Sequence, residues 1–415
     1  MSTVHVVGTG VSGLAAAVEL AAVGRKVVVH EGAGHAGGRC RSFHDEALGR
    51  RIDNGNHLLL RGNRSAHAYL ARIGAADSLT GPAEPRFPFL DLRSGDRWEV
   101  HPNPGRLPWW IATPSRRVPG SRVRDYLRAL ALRKAGPEAT VTDVMGAAGP
   151  AFERFWEPLA VAVLNTAADE AAARLLWPVM EEIFGQGGSA CRPLIAREGL
   201  SESFVDPALA WLASRDCPVR FNRRLRAVES EGGRVATLRF GEDDVRPGPE
   251  DKIVLALPAP VLAGLLPEVT TPDEYRAIVN AHFVLPGPPA GDLVFLGLIG
   301  GTAQWLFVRG EIASVTVSAA DALAEQPNDA VAAAIWPEVA RALGRDGEAM
   351  PPVRIIKEKR ATFAQTPAQV RRRPPPCTAM HNLVLAGDWT DTGLPATIEG
   401  AIRSGQKAAE ILLTS

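Results

Sequence analysis

With 415 residues the chain has material for two domains and a large core, and its 46 Lys plus Arg are balanced by 46 Asp plus Glu, which removes the electrostatic reason to expect a nucleic-acid partner. Four scattered cysteines, Cys40, Cys191, Cys217 and Cys377, form no CxxC pair, so no metal site or disulfide framework is expected and the thiols read as reduced, in a cytoplasmic protein. No apolar run reaches the ~18 residues needed to cross a bilayer, and a strand starting at Val4 leaves no room for a signal peptide.

Residues 4–7 are a β-branched run that meets Gly8-Thr9-Gly10-Val11-Ser12-Gly13 and then an Ala/Leu-rich stretch to residue 23. Strand, glycine turn and helix in that order form a dinucleotide-binding fingerprint. Gly8 permits the sharp turn, Gly10 admits a pyrophosphate against the backbone, and Gly13 allows helix and strand to pack. The helix start, at Val11 and Ser12, offers its free amides to phosphate. Residues 26–30 are predicted to form the next parallel strand, ending at Glu31, where a carboxylate accepts ribose hydroxyls and disfavours a 2′-phosphate. Residues 32–42 form a glycine-rich loop in which backbone amides, Arg39 and Arg41 can face phosphate oxygens. From Gly8 to Glu31, followed by Gly37-Gly38-Arg39, the sequence resembles the FAD-binding start of the flavin amine oxidase and phytoene desaturase superfamily. FAD is therefore the cofactor implied.

Arg51-Ile52-Asp53-Asn54-Gly55-Asn56-His57-Leu58 reads as a loop leading into a buried segment. By the resemblance, Gly55, Asn56, His57 and Leu58 approach the isoalloxazine ring. His57 is equally open to a structural reading, and Asp53 to that of a turn carboxylate capping backbone. A helix is predicted over residues 66–74 and a domain boundary over 80–88, then short strands at 87–92 and 98–102.

Leu107-Pro108-Trp109-Trp110 precedes seven cations between Arg116 and Lys134, with Asp125 the single acid among them. That composition suits a surface resting on anionic lipid, and equally a solvated basic face over two core tryptophans. Helices are predicted over 152–170 and 171–184. A further helix over 203–213 looks like the return crossover, followed by strands at 218–221, 225–228, 234–240 and 251–258. The strand resembling that at Leu225 lies beside the adenine in the superfamily. Strands at 293–298, 305–308 and 313–317 and a helix over 330–343 follow. The charged runs at 357–360 and 371–376 read as edge and linker.

The chain closes with a strand into Ala386-Gly387-Asp388-Trp389-Thr390, then Gly393-Leu394-Pro395-Ala396-Thr397-Ile398-Glu399-Gly400 and a helix. Pro395 and Thr397 open that helix, leaving free amides and a positive dipole end. In the superfamily this motif holds the flavin, with Asp388 on the ribityl hydroxyls.

Amine oxidases of this superfamily commonly place a tyrosine where Thr397 stands, and this chain has three tyrosines in all. The motifs at 53–60 and 386–401 more closely resemble the squalene-associated FAD-dependent desaturases, the hydroxysqualene dehydroxylases of bacterial hopanoid synthesis. Asn56 departs from the glutamine expected there. The resemblance implies an α/β fold, a Rossmann-like FAD-binding domain of the glutathione-reductase type (1–80, 190–262 and 376–415) with an interleaved α+β substrate domain (81–189 and 263–375). It also implies FADH2-dependent removal of the hydroxyl from a lipophilic C30 isoprenoid to give squalene. His57, tuned by Asp53, is the expected acid or orients the water that serves as one; His101 and His282 are the fallback candidates. A carotenoid or phytoene desaturase and a non-catalytic flavin-binding scaffold are the alternatives. The expected location is cytoplasmic, peripheral to the inner face of the membrane through the Trp109/Trp110 stretch. The sequence names no electron donor.

Overall fold

The computed structural model describes residues 2–414 other than 242, 290 and 292, so the terminal residues 1 and 415 of the expected FAD-binding domain lie outside the described part. A five-stranded parallel sheet forms the first layer, in the order Val219–Arg220, Lys26–His30, Thr3–Val7, Lys252–Leu255, Leu383–Leu385. These strands are short, Val-rich and buried on both faces, as parallel strands covered by helices must be. The helix Val11–Ala22 follows the first strand, and the last helix, Ile398–Thr414, lies against it. A methyl group added at Gly405 would fall 2.0 Å from the carbonyl oxygen of Ser12, so the two helices touch backbone to backbone.

The second layer is a seven-stranded sheet in the order Val353–Phe363, Tyr275–Val284, Ile312–Val317, Trp305–Arg309, Phe295–Ile299, Phe87–Asp91, Arg97–Val100. Every pairing is antiparallel except that of Phe87–Asp91 with Phe295–Ile299, where the two visits of the chain meet. One face packs on the helix Asn328–Ala342, with Phe283 and Trp336 at 5.2 Å between ring centres. The opposite face carries Trp98, Phe89, Phe295, Trp305 and Phe307 and packs on the helical segment around Phe155. Gly297 leaves the space across which the Phe89 ring lies.

The charged run at 357–360, read as edge, is the middle of an eleven-residue strand, Val353–Phe363, at the edge of this sheet. One expectation changes. The strand Tyr275–Val284, where no strand was predicted, carries the most extensive pairing in that sheet.

Candidate cofactor and active site

The glycine turn has the shape that its sequence demands. Gly8 sits at φ +108°, and a Cβ there would lie 2.3 Å from the carbonyl oxygen of Ala256; one at Gly13 would lie 2.0 Å from that of Gly8. At Gly10 a Cβ would meet nothing within 4 Å. That opening sits at the start of the helix Val11–Ala22, whose N-terminus no side chain caps, so Val11 and Ser12 present their amides to it. Gly37 bonds back to Thr9 (N to O, 3.0 Å), and a Cβ at Gly38, which sits at φ +58°, would lie 3.5 Å from the Gly10 Cα, so the two turns close the cradle together. Glu31 is fixed at the strand end: one oxygen accepts from the Thr9 amide at 2.9 Å and from its hydroxyl, the other from the Ala33 amide at 2.8 Å.

The two chain ends meet at Arg39, whose Nη2 donates to both carboxylate oxygens of Asp388 at 2.8 Å; Nη1 donates to the Ala361 carbonyl. Asp388 raises the Arg39 pKa, so the guanidinium stays charged. Arg41 turns away and donates to the carbonyl of Gly38 instead. Leu225 is buried just ahead of the hairpin of Ala227–Glu231 and Arg234–Arg239. At the closing motif the Gly387 amide donates to Ser404 Oγ at 2.8 Å, Ala396 N donates to Gln365 Oε1 at 2.9 Å, and Thr397 Oγ1 accepts from Gly400 N at 3.1 Å. Pro395 leads into Ile398–Thr414, with Ile398 buried at its start.

Two residues that the sequence did not single out build this motif. Arg373, expected in a stiff linker, is buried and donates to the carbonyls of Leu394 (2.8 Å), Asp388 (3.3 Å) and Thr390. Gln365 is fully buried and ties the Leu164 carbonyl and the Thr166 hydroxyl to Ala396. The only signal for either is a polar residue beside apolar ones, which does not distinguish a buried brace from a surface.

The loop after the strand Arg50–Asp53 brings Asn56 and His57 to a small polar chamber lined also by Asp53, Arg309, Ser314, Phe307, Ile195, Ala196 and Leu200. Asp53 is fully engaged: Oδ1 accepts from Ser42 Oγ (2.6 Å) and Leu200 N (3.0 Å), and Oδ2 from Arg309 Nη1 (2.9 Å). Its expected role beside His57 is thus reduced to its charge at a distance. Desolvation lowers the His57 pKa to about 4, Asp53 opposing this and Arg39 adding to it; the imidazole is neutral at neutral pH. His101 lies elsewhere, 3.3 Å from Glu84. Trp109 is 49% exposed and Trp110 4%; Trp110 packs edge-on against Tyr126, so one ring of the pair is at the surface and the other is in the core.

The open glycine cradle, the uncapped helix start and the Arg39–Asp388 pair suit a dinucleotide with a second, ring-bearing half, and together with the interleaved second sheet they define an FAD-dependent oxidoreductase. The model of the flavin-containing amine oxidoreductases matches residues 11–413. A protein named hydroxysqualene dehydroxylase from Rhodopseudomonas palustris is 48% identical, covering 100% of this chain and 99% of its own. One of the same name from Zymomonas mobilis is 44% identical, covering 100% of both. Among solved structures, cyclohexylamine oxidase from Brevibacterium oxydans aligns at a TM-score of 0.70 with 16% identity over 100% of this chain and 99% of its own, a likeness of fold. The chain belongs to the flavin-containing amine oxidoreductase family and, within it, to the hydroxysqualene dehydroxylases.

Proposed function

We propose that the chain removes the hydroxyl group of hydroxysqualene to give squalene, a step of hopanoid synthesis. Full-length likeness to relatives bearing that activity in their names supports the substrate. The structural observation that carries the reading is one sheet face divided in two: aromatic rings of Phe89, Phe295 and Trp305 on one side and the polar chamber with His57 on the other, with Phe307 at the border between them. A hydrocarbon lies against the first and its hydroxyl points to the second.

Reduced FAD supplies the hydride when bound. Gly10, Val11 and Ser12 receive the pyrophosphate, Glu31 the adenosine ribose, and Arg39 and Asp388 the phosphate and ribityl portions. His57, being neutral, does not carry a stored proton; it orients the water that gives one to the departing hydroxyl. The aromatic face keeps bulk water from the carbon that loses its oxygen. The overall balance is one alcohol, one proton and one hydride giving one hydrocarbon and one water.

The test is anaerobic incubation of dithionite-reduced holoprotein with hydroxysqualene. Squalene appearing as the flavin reoxidises supports the proposal; oxidation of a polyene as oxidised flavin bleaches supports the desaturase instead, and a yellow, inert protein the scaffold. We further propose peripheral contact with anionic membrane through the basic segment 106–134, by way of Trp109 and not Trp110. Among the described residues no helix is long and apolar enough to cross a membrane.

A further inference from the structure

The seven-stranded sheet is polar at a place where a buried sheet face is ordinarily apolar. Strands Tyr275–Val284 and Ile312–Val317 pair so that Asn280 faces Thr316 and His282 faces Ser314. Their alternate neighbours, Val279, Ala281, Phe283 and Val315 among them, point to the other face and into the helix-covered core. All four polar side chains are buried.

Half of this ladder is a brace. The Thr316 hydroxyl donates to Asn280 Oδ1 at 2.7 Å and accepts from Asn56 Nδ2 at 3.0 Å, while Asn280 Nδ2 donates to the Asn54 carbonyl at 3.4 Å. Those bonds hold the loop that presents His57. The other half centres on His282, whose ring the backbone of Asp53 also approaches. His282 Nδ1 and Ser314 Oγ are 2.7 Å apart, and His282 Nε2, buried, has no hydrogen-bond partner among the described residues. Desolvation brings the His282 pKa to about 4, so the ring is neutral, and in the tautomer protonated at Nε2 its Nδ1 accepts a hydrogen bond from the serine hydroxyl. Ser314 then turns its lone pairs to the chamber it shares with His57, Asn56, Asp53 and Arg309. Arg309, partly exposed, connects that chamber to solvent.

A chamber lined by Ser314, His57, Asn56 and the Arg309 guanidinium, with the engaged Asp53 carboxylate beside them, offers the two to four polar partners that a bound water wants. We propose that Ser314, backed by His282, is a positioning residue for a water in this chamber, and that this water delivers the proton required by the departing hydroxyl. The inference rests on the dehydroxylation proposed above. The proton passes from solvent through the chamber water to the substrate oxygen. The carbon–oxygen bond breaks with its electron pair on oxygen, which leaves as water; the carbon takes the hydride and is reduced as the flavin is oxidised by two electrons. The water formed leaves past Arg309.

Two measurements on FAD-loaded protein decide it. In single turnovers of reduced enzyme with hydroxysqualene, Ser314→Ala is expected to slow flavin reoxidation by ~10- to 100-fold, with an altered solvent deuterium isotope effect. Ser314→Thr, which keeps the hydroxyl, is expected to restore most of the rate, and FAD content is expected to stay unchanged in both. A Ser314→Ala rate and isotope effect equal to wild type would overturn the proton role. Independently of substrate, a high-resolution crystal structure is expected to show a water hydrogen-bonded to Ser314 Oγ, lost in Ser314→Ala; a dry chamber overturns the water site. If wild type forms no squalene, the reaction assignment and the proton role fall together, while the crystal still judges the water.

Discussion

The carboxylate of Glu399 accepts hydrogen bonds from the backbone amide of Ser65 at 2.9 Å and, through its other oxygen, from that of Ala66 at 2.8 Å. A residue of the closing motif thereby caps the helix Arg64–Arg72 that follows the His57 loop. Glu399 also pairs with Arg403, which reaches on to Glu182. Glu399→Ala leaves two amides and one guanidinium short of partners. It is expected to cost about 1–2 kcal/mol, by the scale of lost helix caps, read as a lower melting temperature of the holoprotein. Glu399→Gln, which still accepts from the amides, is expected to recover part of the loss.

The glycines separate folding from cofactor binding. Gly13→Ala places a methyl group on the Gly8 carbonyl and is expected to destabilise the protein with or without flavin. Gly10→Ala meets no protein atom within 4 Å, so the apoprotein is expected to melt as wild type does while FAD uptake falls. Absorbance near 450 nm after refolding with excess FAD, beside melting of the apoprotein, checks both. Normal FAD uptake by Gly10→Ala would remove the pyrophosphate from that opening.

Arg373 is the residue on which the shape of the closing motif depends. It stays charged at neutral pH although burial lowers its pKa to about 10, and it satisfies three carbonyl groups of residues 388–394. Arg373→Met leaves those carbonyls unpaired in a buried place, at a cost of about 3 kcal/mol. The expected readout is faster loss of FAD on dilution, with Arg373→Lys intermediate because one ammonium cannot reach the fork geometry.

How much of this was legible follows from the range of the signals. The turn at Gly8–Gly13, the strand Lys26–His30 and the strand ending at Leu385 were readable because each combines a local conformational demand with a run of Val, Ile or Leu. Tyr275–Val284 was missed although Ala277, Val279, Ala281 and Phe283 alternate. Asn280 and His282 occupy the other face, and polar residues there suggest solvent when the sequence is read alone. Arg373 and Gln365 were missed for a related reason: their partners lie 15 to 201 residues away, and nothing local distinguishes a buried Arg from an exposed one. Trp109 and Trp110 have the same composition and opposite fates, decided by which one Tyr126 covers.

Histidine burial gives a pH dependence with a definite sign. His30 and His282 are buried, and desolvation lowers their pKa values to about 3 and about 4. The unfolded chain protonates each near 6.5, the folded one far lower, so unfolding takes up protons between those values. Stability is therefore fully present above pH 6.5 and is lost as pH falls through the window from 6.5 toward 4. Each histidine contributes at most ~1.4 kcal/mol per pH unit there. Urea unfolding midpoints at pH 7, 6 and 5 measure this, and His282→Gln is expected to flatten the profile; an unchanged slope in that variant would discount the histidine.

The basic segment offers a surface whose two tryptophans now predict different results. Leu107, Trp109, Leu127 and Leu130 are exposed by 77, 49, 49 and 61%, an apolar group set among Arg106, Arg116, Arg117, Arg122, Arg124, Arg128, Arg133 and Lys134. The one acid there, Asp125, accepts from the Arg122 amide at 2.7 Å and is occupied. Arg116 lies 4.9 Å over the Trp109 ring, so that ring already sits at a boundary between charge and apolar surface. Basic charge draws the segment to anionic headgroups at ~1 kcal/mol per cation, and the leucines and Trp109 add burial in the interface. In flotation with phosphatidylserine-containing vesicles, Trp109→Ser with Leu130→Ser is expected to abolish binding while melting stays as in wild type. Trp110→Ser is expected to lower the melting temperature instead, since it removes a core ring. Binding that survives the first double variant, or that is indifferent to salt and to phosphatidylserine, would exclude this segment as the membrane contact.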